Sequence, residues 1–192
     1  YYRDTLLTFG DEVERKPLSY VLKIKNGKDY KQFKEGNIPV YGSGGIMTYI
    51  DTFVSEGQSV LIPRKGSIDK LYYVDSPFWT VDTIFYTEIY KNIVVPKYIY
   101  YYLQKEHIEQ YNTAGGVPSL TQSVLNKIQI PVPSLIEQQR IVDILDRFDV
   151  LCNDISEGLP AEIKARQQQY EYYRDKLLTF KEKGGDTING EF

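Results

Sequence analysis

The chain has 192 residues and a mass of 22.3 kDa, with 42% apolar and 26% charged side chains, a composition ordinary for one folded domain with appendages or two small units. One cysteine excludes an internal disulfide, one cysteine with one histidine excludes a zinc site built on those ligands, and no apolar run approaches the roughly 18 residues that a membrane helix needs. The formal charge of −3 hides a segregation: residues 134–192 carry 8 basic and 12 acidic side chains, net −4, whereas Arg15 to Lys34 sets seven basic residues against Asp29 alone, net +6. Scarce cysteine suits a reducing compartment, so a cytoplasmic location is expected. The chain opens on Tyr1 and its only methionine is Met47, so it reads as a piece of a longer protein.

Tyr1-Tyr2-Arg3-Asp4-Thr5-Leu6-Leu7-Thr8-Phe9 returns as Tyr172-Tyr173-Arg174-Asp175-Lys176-Leu177-Leu178-Thr179-Phe180, with eight of nine positions identical. That period of 171 residues is far longer than the roughly 20 to 50 of a solenoid. It implies a modular protein in which the end of one module, residues 1–9, stays joined to the front of the next. From Leu18 to Glu88 short apolar runs alternate with Gly, Asn, Asp, Ser and Pro. Residues 37–41, 46–50, 59–62, 68–74 and 83–86 are predicted strands. Pro96 suits the first turn of a helix carrying Ile99, Leu103, Ile108 and Tyr111 and ending before Gly115-Gly116. Ile128 to Val132, bordered by prolines, reads as an edge strand or extended connector.

Beyond Pro133 the period becomes helical. Ser134 and Glu137 form a capping box, and Ile141, Ile144, Leu145, Phe148, Leu151, Cys152 and Ile155 follow at three-to-four spacing. Gly158-Leu159-Pro160 predicts a break or kink near 158–160. A second helix then places Ile163, Tyr170 and Leu177 seven apart, with Arg166, Tyr173 and Phe180 between them, which is a heptad seam weakened by Arg166. Both helices end to end would reach roughly 70 Å, a rod that needs a partner.

These residues resemble the specificity (S) subunit of type I restriction-modification systems, in a form with one target recognition domain. The resemblance is carried by residues 115–120 (GGVPSL), 128–133 (IQIPVP), 137–142 (EQQRIV) and 169–178 (QYEYYRDKLL), joined by 39–45 (PVYGSGG) and 64–68 (RKGSI). It implies a stub of a preceding helix at 1–9, an α/β (α+β) target recognition domain at 10–133, a helical dimerisation and spacer region at 134–181 and a flexible tail at 182–192. It further implies a non-catalytic reader without a cofactor or metal, binding double-stranded DNA at one half of a bipartite target. Its helices would form a homodimer and dock methyltransferase (modification) subunits, and through them a restriction subunit, with no membrane involved. Full-length members carry two recognition domains, whereas this chain carries one.

For DNA contact the candidates are Lys28 and Lys31 from the basic stretch, Tyr41, Ser43 and Gly44 in a glycine-flanked turn, Arg64, Lys65 and Ser67 in a second, Thr80 beside Trp79, and Gly116 and Ser119 in the 115–121 segment. Lysines supply sequence-blind phosphate contact, and loop side chains reach base edges. Each candidate also has a plain reading, as a solvated lysine, a hairpin turn or, for Trp79, a core residue. For the partner helix the candidates are Ile163, Tyr170, Tyr173, Leu177 and Phe180. An enzyme reading fares poorly: no phosphate-binding loop of the G-x-x-x-x-G-K-[ST] type occurs, His107 stands beside Glu106 and Glu109 as a solvated residue, and Cys152 lies on an apolar helix face. Two other classes remain open, an assembly adaptor acting through its helices and the recognition segment of a single-chain methylase-nuclease.

Overall fold

Leu22-Lys23-Ile24-Lys25-Asn26 alternates apolar and polar side chains, and a strand buries one set and shows the other to solvent. In a computed structural model that describes residues 2–112 and 115–178, such strands build a first unit that reaches Leu145; a second unit begins at Asp146. The elements in chain order are α1 (Tyr2–Leu6), β1 (Arg15–Pro17), α2 (Leu18–Val21), β2 (Leu22–Asn26), β3 (Glu35–Gly42), β4 (Gly45–Ile50), β5 (Ser55–Glu56) and β6 (Ser59–Pro63). There follow β7 (Tyr72–Val74), β8 (Pro77–Thr80), β9 (Ile84–Ile89), α3 (Pro96–Lys105), a 3-10 turn (Ile108–Tyr111), α4 (Gln122–Leu125), β10 (Gln129–Pro131) and α5 (Leu135–Leu178). Mixed strands and helices give the α+β architecture expected.

Two four-stranded sheets, ordered β2-β9-β6-β7 and β4-β3-β8-β5, accompany a two-stranded ribbon of β1 and β10. All pairings are antiparallel except β3 with β8, which meet only at Val40↔Trp79 and Tyr41↔Thr80. Pro39, which has no N–H to offer, precedes that pairing and faces Tyr49 on the hairpin side. Between β6 and β9 the ladder is completed by side chains. Ser59 Oγ donates to Thr87 O at 2.9 Å and accepts Thr87 N at 3.0 Å, and Thr87 Oγ1 donates to Val60 O at 3.0 Å and accepts Val60 N at 2.9 Å. All four hydrogen-bonding positions are buried and satisfied, as they must be away from water.

Helix α3 is shorter than its sequence predicts, because His107 adopts a left-handed conformation with φ 49° and the chain re-enters only as the 3-10 turn. Ile99, Leu103 and Ile108 are nevertheless buried, as are Tyr98, Tyr101 and Tyr102. Tyr98 and Tyr102 stack one turn apart with ring centroids at 6.4 Å, and their hydroxyls donate to Pro131 O at 3.1 Å and Gln129 O at 3.2 Å. Burial pushes both hydroxyls far above the ordinary tyrosine range, so they remain donors and rivet α3 to β10. The predicted strand over 68–74 shrinks to β7, the earlier residues forming a loop with Ile68 buried beneath it.

The first unit extends beyond the 10–133 span at both ends. Leu7 is fully buried in the main core, and Lys105 Nζ donates to Leu7 O and Thr8 Oγ1, each at 3.0 Å, so the stub packs against the domain. At the other end Gln138, Ile141, Val142 and Leu145 of α5 are buried in the same unit. Ser134 caps α5 by accepting Glu137 N at 3.3 Å, but the other half of the capping box differs: the Glu137 carboxylate turns forward to Arg140, at 2.8 and 2.6 Å.

In the second unit α5 runs on to Leu178, without the break expected near 158–160. Pro160 removes one main-chain donor, and the helix-forming residues on either side carry the helix past it. Val150 and Leu151 are more than half exposed and, with Asp146 and Arg147, line an apolar surface depression. Tyr170 and Tyr173 of the predicted seam are exposed; Phe180 and the side chains of Ile163 and Leu177 lie outside the described residues. Among the described residues no helix is long and apolar enough to cross a membrane.

Candidate nucleic-acid interface

The site is assembled by the turn that joins β8 to β9. Thr83 in that turn uses its main-chain oxygen to accept Arg64 N at 2.9 Å and Lys65 N at 3.2 Å, and its Oγ1 accepts Ser43 N at 3.3 Å. One residue thereby holds two of the predicted loops, the β3–β4 turn and the segment after β6. The third joins through main-chain bonds, with Gly66 N donating to Pro118 O at 3.1 Å, Leu120 N to Arg64 O at 2.9 Å, and Lys65 bridged to Ser119 in antiparallel register. Asn112 Oδ1 accepts Ser119 N at 2.9 Å and anchors the far side of that loop. Gly66 is required here: its φ is +83°, and a Cβ would stand 3.3 Å from Ser43 Oγ, where the two loops touch.

The basic segment reaches the same turn from the other side. Lys28 N donates to Thr80 O at 2.8 Å, while Trp79 Nε1 donates to Lys28 O at 2.9 Å. At Gly27 a Cβ would lie only 2.0 Å from Val81 O, so no larger residue permits this approach. An open groove of about 460 Å³ results, lined by Asp29, Tyr30, Lys31, Met47, Val81, Asp82 and Thr83.

The structure thus gathers Lys28, Lys31, Tyr41, Ser43, Gly44, Arg64, Lys65, Ser67, Gly116 and Ser119 around one end of the sheets. Their side chains are not equally available. Lys28, Lys31, Lys65, Ser67, Gly44 and Gly116 are exposed, whereas Ser43 and Ser119 are half-buried. Half-buried Arg64 lies with its guanidinium 5.8 Å from the centroid of the buried Phe85 ring. Tyr41 stacks obliquely on Tyr72 at 5.8 Å, and desolvation, with Tyr49 and Tyr72 nearby, raises its hydroxyl above the ordinary range and keeps it a neutral donor.

The Thr80 candidate needs correction. Thr80 is fully buried, so its side chain cannot touch a ligand; its contribution is the carbonyl that holds Lys28. Its neighbour Trp79, 6% exposed and edge-on to Phe33 at 4.7 Å, belongs to the core, in keeping with its plain reading. The +6 stretch is not one patch either. Arg15 donates to the Tyr102 hydroxyl, Lys16 pairs with Glu14, and Lys25 pairs with Glu88 at 3.1 Å across the β2–β9 ladder. Of that stretch, Asp29, Tyr30 and Lys31 line the groove, with Lys28 bonded to Thr80 O beside it. Thr83, Asp82, Asp29 and Met47 were not singled out from the sequence for this site, because nothing marks Asp82-Thr83 as more than a polar turn between strands.

His107 is exposed, with its Nδ1 3.2 Å from the Glu109 carboxylate. Among the described residues no group of three or more His, Cys, Asp or Glu side chains is arranged to hold a metal ion.

The family model described as the type I restriction modification DNA specificity domain matches residues 10–165. The chain belongs to this type I specificity family. It is 37% identical over 94% of its length to the type I restriction enzyme EcoR124I/EcoR124II specificity subunit of Escherichia coli, covering 52% of that protein. It is 26% identical over 94% of its length to the type I restriction enzyme MpnII specificity subunit of Mycoplasma pneumoniae, covering 60% of it. In fold it is similar to the crystal structure of a type I restriction-modification system S subunit from M. genitalium, with a TM-score of 0.66 at 21% identity, over 87% of this chain and 47% of that one. The chain therefore spans about half the length of the specificity subunits it matches from Escherichia coli (EcoR124I/EcoR124II) and Haemophilus influenzae.

Proposed function

We propose that the chain is a non-catalytic DNA-sequence reader of a type I restriction-modification complex, in which the loop end of the first unit binds one half of a bipartite target. The observation that supports this best is the convergence on Thr83 of the two loops bearing Ser43 and Lys65-Ser67, with the 115–121 loop bonded to the second of them, beside Lys28 and Lys31. Lysines at the rim attract phosphates and fix register, while short polar side chains on pinned loops meet base edges. Pinning matters because a base contact made by a mobile loop loses to ordering entropy part of what it gains.

The α5 helix supplies the second part of the reading. Tyr170, Tyr172, Tyr173, Val150 and Leu151 are exposed along it, more apolar surface than a solvent-facing helix ordinarily shows. We assign this surface to pairing with a second copy and to docking of modification subunits, which carry the chemistry. A two-fold dimer would place two recognition units on inverted half-sites and read an interrupted palindrome.

The test is to co-express the chain with its cognate modification subunit and map methylation across the host DNA. An interrupted palindromic motif supports the whole reading; absence of sequence-dependent methylation overturns it in favour of an assembly adaptor. Light scattering at micromolar concentration gives a dimer mass if the helix pairs as proposed, and a monomer mass overturns that part alone.

A further inference from the structure

We infer that Asp82 is a base-reading residue whose carboxylate accepts a hydrogen bond from an exocyclic amino group in the major groove, cytosine N4 or adenine N6. The inference deepens the DNA-reading function proposed above and rests on it.

Asp82 is the middle residue of the turn on which the site is assembled, and both its neighbours are fixed. Val81 N donates to Tyr41 O at 3.0 Å, Ile84 N donates back to Val81 O at 3.2 Å, and Thr83 holds Ser43, Arg64 and Lys65. The Asp82 side chain is nonetheless exposed, on the wall of the groove it shares with Lys31, Met47 and Thr83. Among the described residues its carboxylate takes part in no hydrogen bond or ion pair, although the neighbouring segments carry Lys28, Lys31 and Lys65. The other groove acid is accounted for locally, since Asp29 Oδ1 accepts Tyr30 N at 2.7 Å and Lys31 N at 3.2 Å and so shapes its own turn.

An unpaired carboxylate is an unusual thing to present from a pinned turn where a polyanion is to bind. It repels every phosphate equally and weakens sequence-blind affinity. Phosphodiesters and deoxyribose within a strand offer it no donor at all. The donors that a B-form duplex leaves free are base amines, cytosine N4 and adenine N6 in the major groove and guanine N2 in the minor. A carboxylate on this face is therefore satisfied by sequence or not at all, and it rejects the O6, N7 and O4 acceptors of the wrong base. The neighbour selects the groove: Met47, 58% exposed, offers apolar surface of the kind that meets a thymine methyl, a group found only in the major groove.

The experiment uses the full chain and a randomised duplex library, followed by single duplexes carrying base analogues. The parent chain should prefer cytosine or adenine by about tenfold at one position. Asp82→Ala should abolish that preference, keep the others, and bind unrelated duplex more tightly because a negative charge has gone. Replacing the preferred base by 2-pyrimidinone (for cytosine) or purine (for adenine), which lack the amine, should weaken the parent by the same factor and Asp82→Ala not at all. Asp82→Asn keeps the shape and adds a donor, so it should admit guanine or thymine at that position. If Asp82→Ala tightens all duplexes equally with selectivity unchanged, Asp82 is a bystander charge and the inference fails. Sensitivity to inosine in place of guanine, and not to the other analogues, overturns the major-groove assignment. A parent chain that selects no sequence overturns the DNA-reading function and this inference with it, whereas selection by the parent with an unaffected Asp82→Ala overturns the inference alone.

Discussion

Gln138 is the one fully buried polar side chain of α5 in the first unit, and each of its polar atoms is used. Its Oε1 accepts Val95 N at 2.8 Å just before α3, and its Nε2 donates to Ile93 O at 3.2 Å and Pro133 O at 2.8 Å. The amide thus ties the start of α5 to the entry of α3. Gln138→Leu, of nearly the same volume, strips a buried N–H of its acceptor and two carbonyls of their donor. An unsatisfied buried group costs about 1–3 kcal/mol, and the lost burial of the amide offsets part of this, so the expected loss is about 2–4 kcal/mol. Gln138→Glu is the sharper variant. Its carboxylate still accepts Val95 N, but the second oxygen faces two carbonyls with no cation to answer it, so the folded-state pKa rises above the unfolded value. The sign follows: the folded state then binds more protons, and Gln138→Glu loses stability relative to the parent at about 1.4 kcal/mol per pH unit above roughly pH 4.3, until the raised pKa is passed. Urea denaturation of parent, Gln138→Leu and Gln138→Glu at pH 5 and pH 7.5 measures both effects. A Gln138→Leu midpoint matching the parent, or a Gln138→Glu penalty identical at the two pH values, would refute the reasoning.

Thr83→Val removes one acceptor and keeps the side-chain shape, so it should cost about 1 kcal/mol in stability yet reduce discrimination between preferred and unrelated duplexes by about tenfold, with Thr83→Ser restoring both; filter binding with a selected and a scrambled duplex reads it. Lys31→Ala should weaken binding to all duplexes alike and lower the slope of log K against log salt by about one, whereas Lys65→Ala should cost about 1–3 kcal/mol at particular base positions. Arg140 holds the Glu137 carboxyl below its ordinary range. That pair stabilises above the ordinary carboxylate pKa and is lost as pH falls through the lowered value, so the melting temperature of the parent should fall towards that of Glu137→Gln between pH 5 and about pH 3.

Much of the first unit is legible in the sequence because its strands obey local rules. Residues 46–50 are edged by glycine and turn residues and become β4 with no surprise. β2 was obscured by its own outward face: Lys23 and Lys25 look like part of a DNA-binding cluster until the alternation with Leu22 and Ile24 makes them the solvent side of a strand, opposite Glu88. Charge summed along a segment loses the information that a strand separates neighbours onto opposite faces. Burial of Thr80 is hidden for the same reason, since the position beside Trp79 says nothing about which face is buried. Ser134 as a helix cap is a short-range property and was readable, while the forward turn of Glu137 depends on Arg140, three residues on, competing for the carboxylate. Thr83 illustrates the limit, because its importance lies in which turns meet at it, and the meeting is set by sheet order.

That dependence on sheet order has a consequence for how the site can vary. The loops are joined to one another chiefly through main-chain groups: Arg64 N and Lys65 N on Thr83 O, Gly66 N on Pro118 O, Leu120 N on Arg64 O. Such bonds do not depend on the side chains that project from the same residues, so Lys65 and Ser67 can change without unpinning the loop that bears them. The exceptions are the contacts made through side chains or through missing ones, Thr83 Oγ1 to Ser43, Asn112 to Ser119, and the bare Cα of Gly27 and Gly66. Substitutions should therefore divide sharply. At Lys65, Ser67 and Asp82 they should redirect recognition with little loss of stability; at Gly27, Gly66 and Asn112 they should cost stability and weaken every target together. Melting temperature plotted against selectivity for single substitutions at these six positions separates the two groups if the scaffold is held as described, and a continuous spread between them would show that side-chain identity and loop position are coupled.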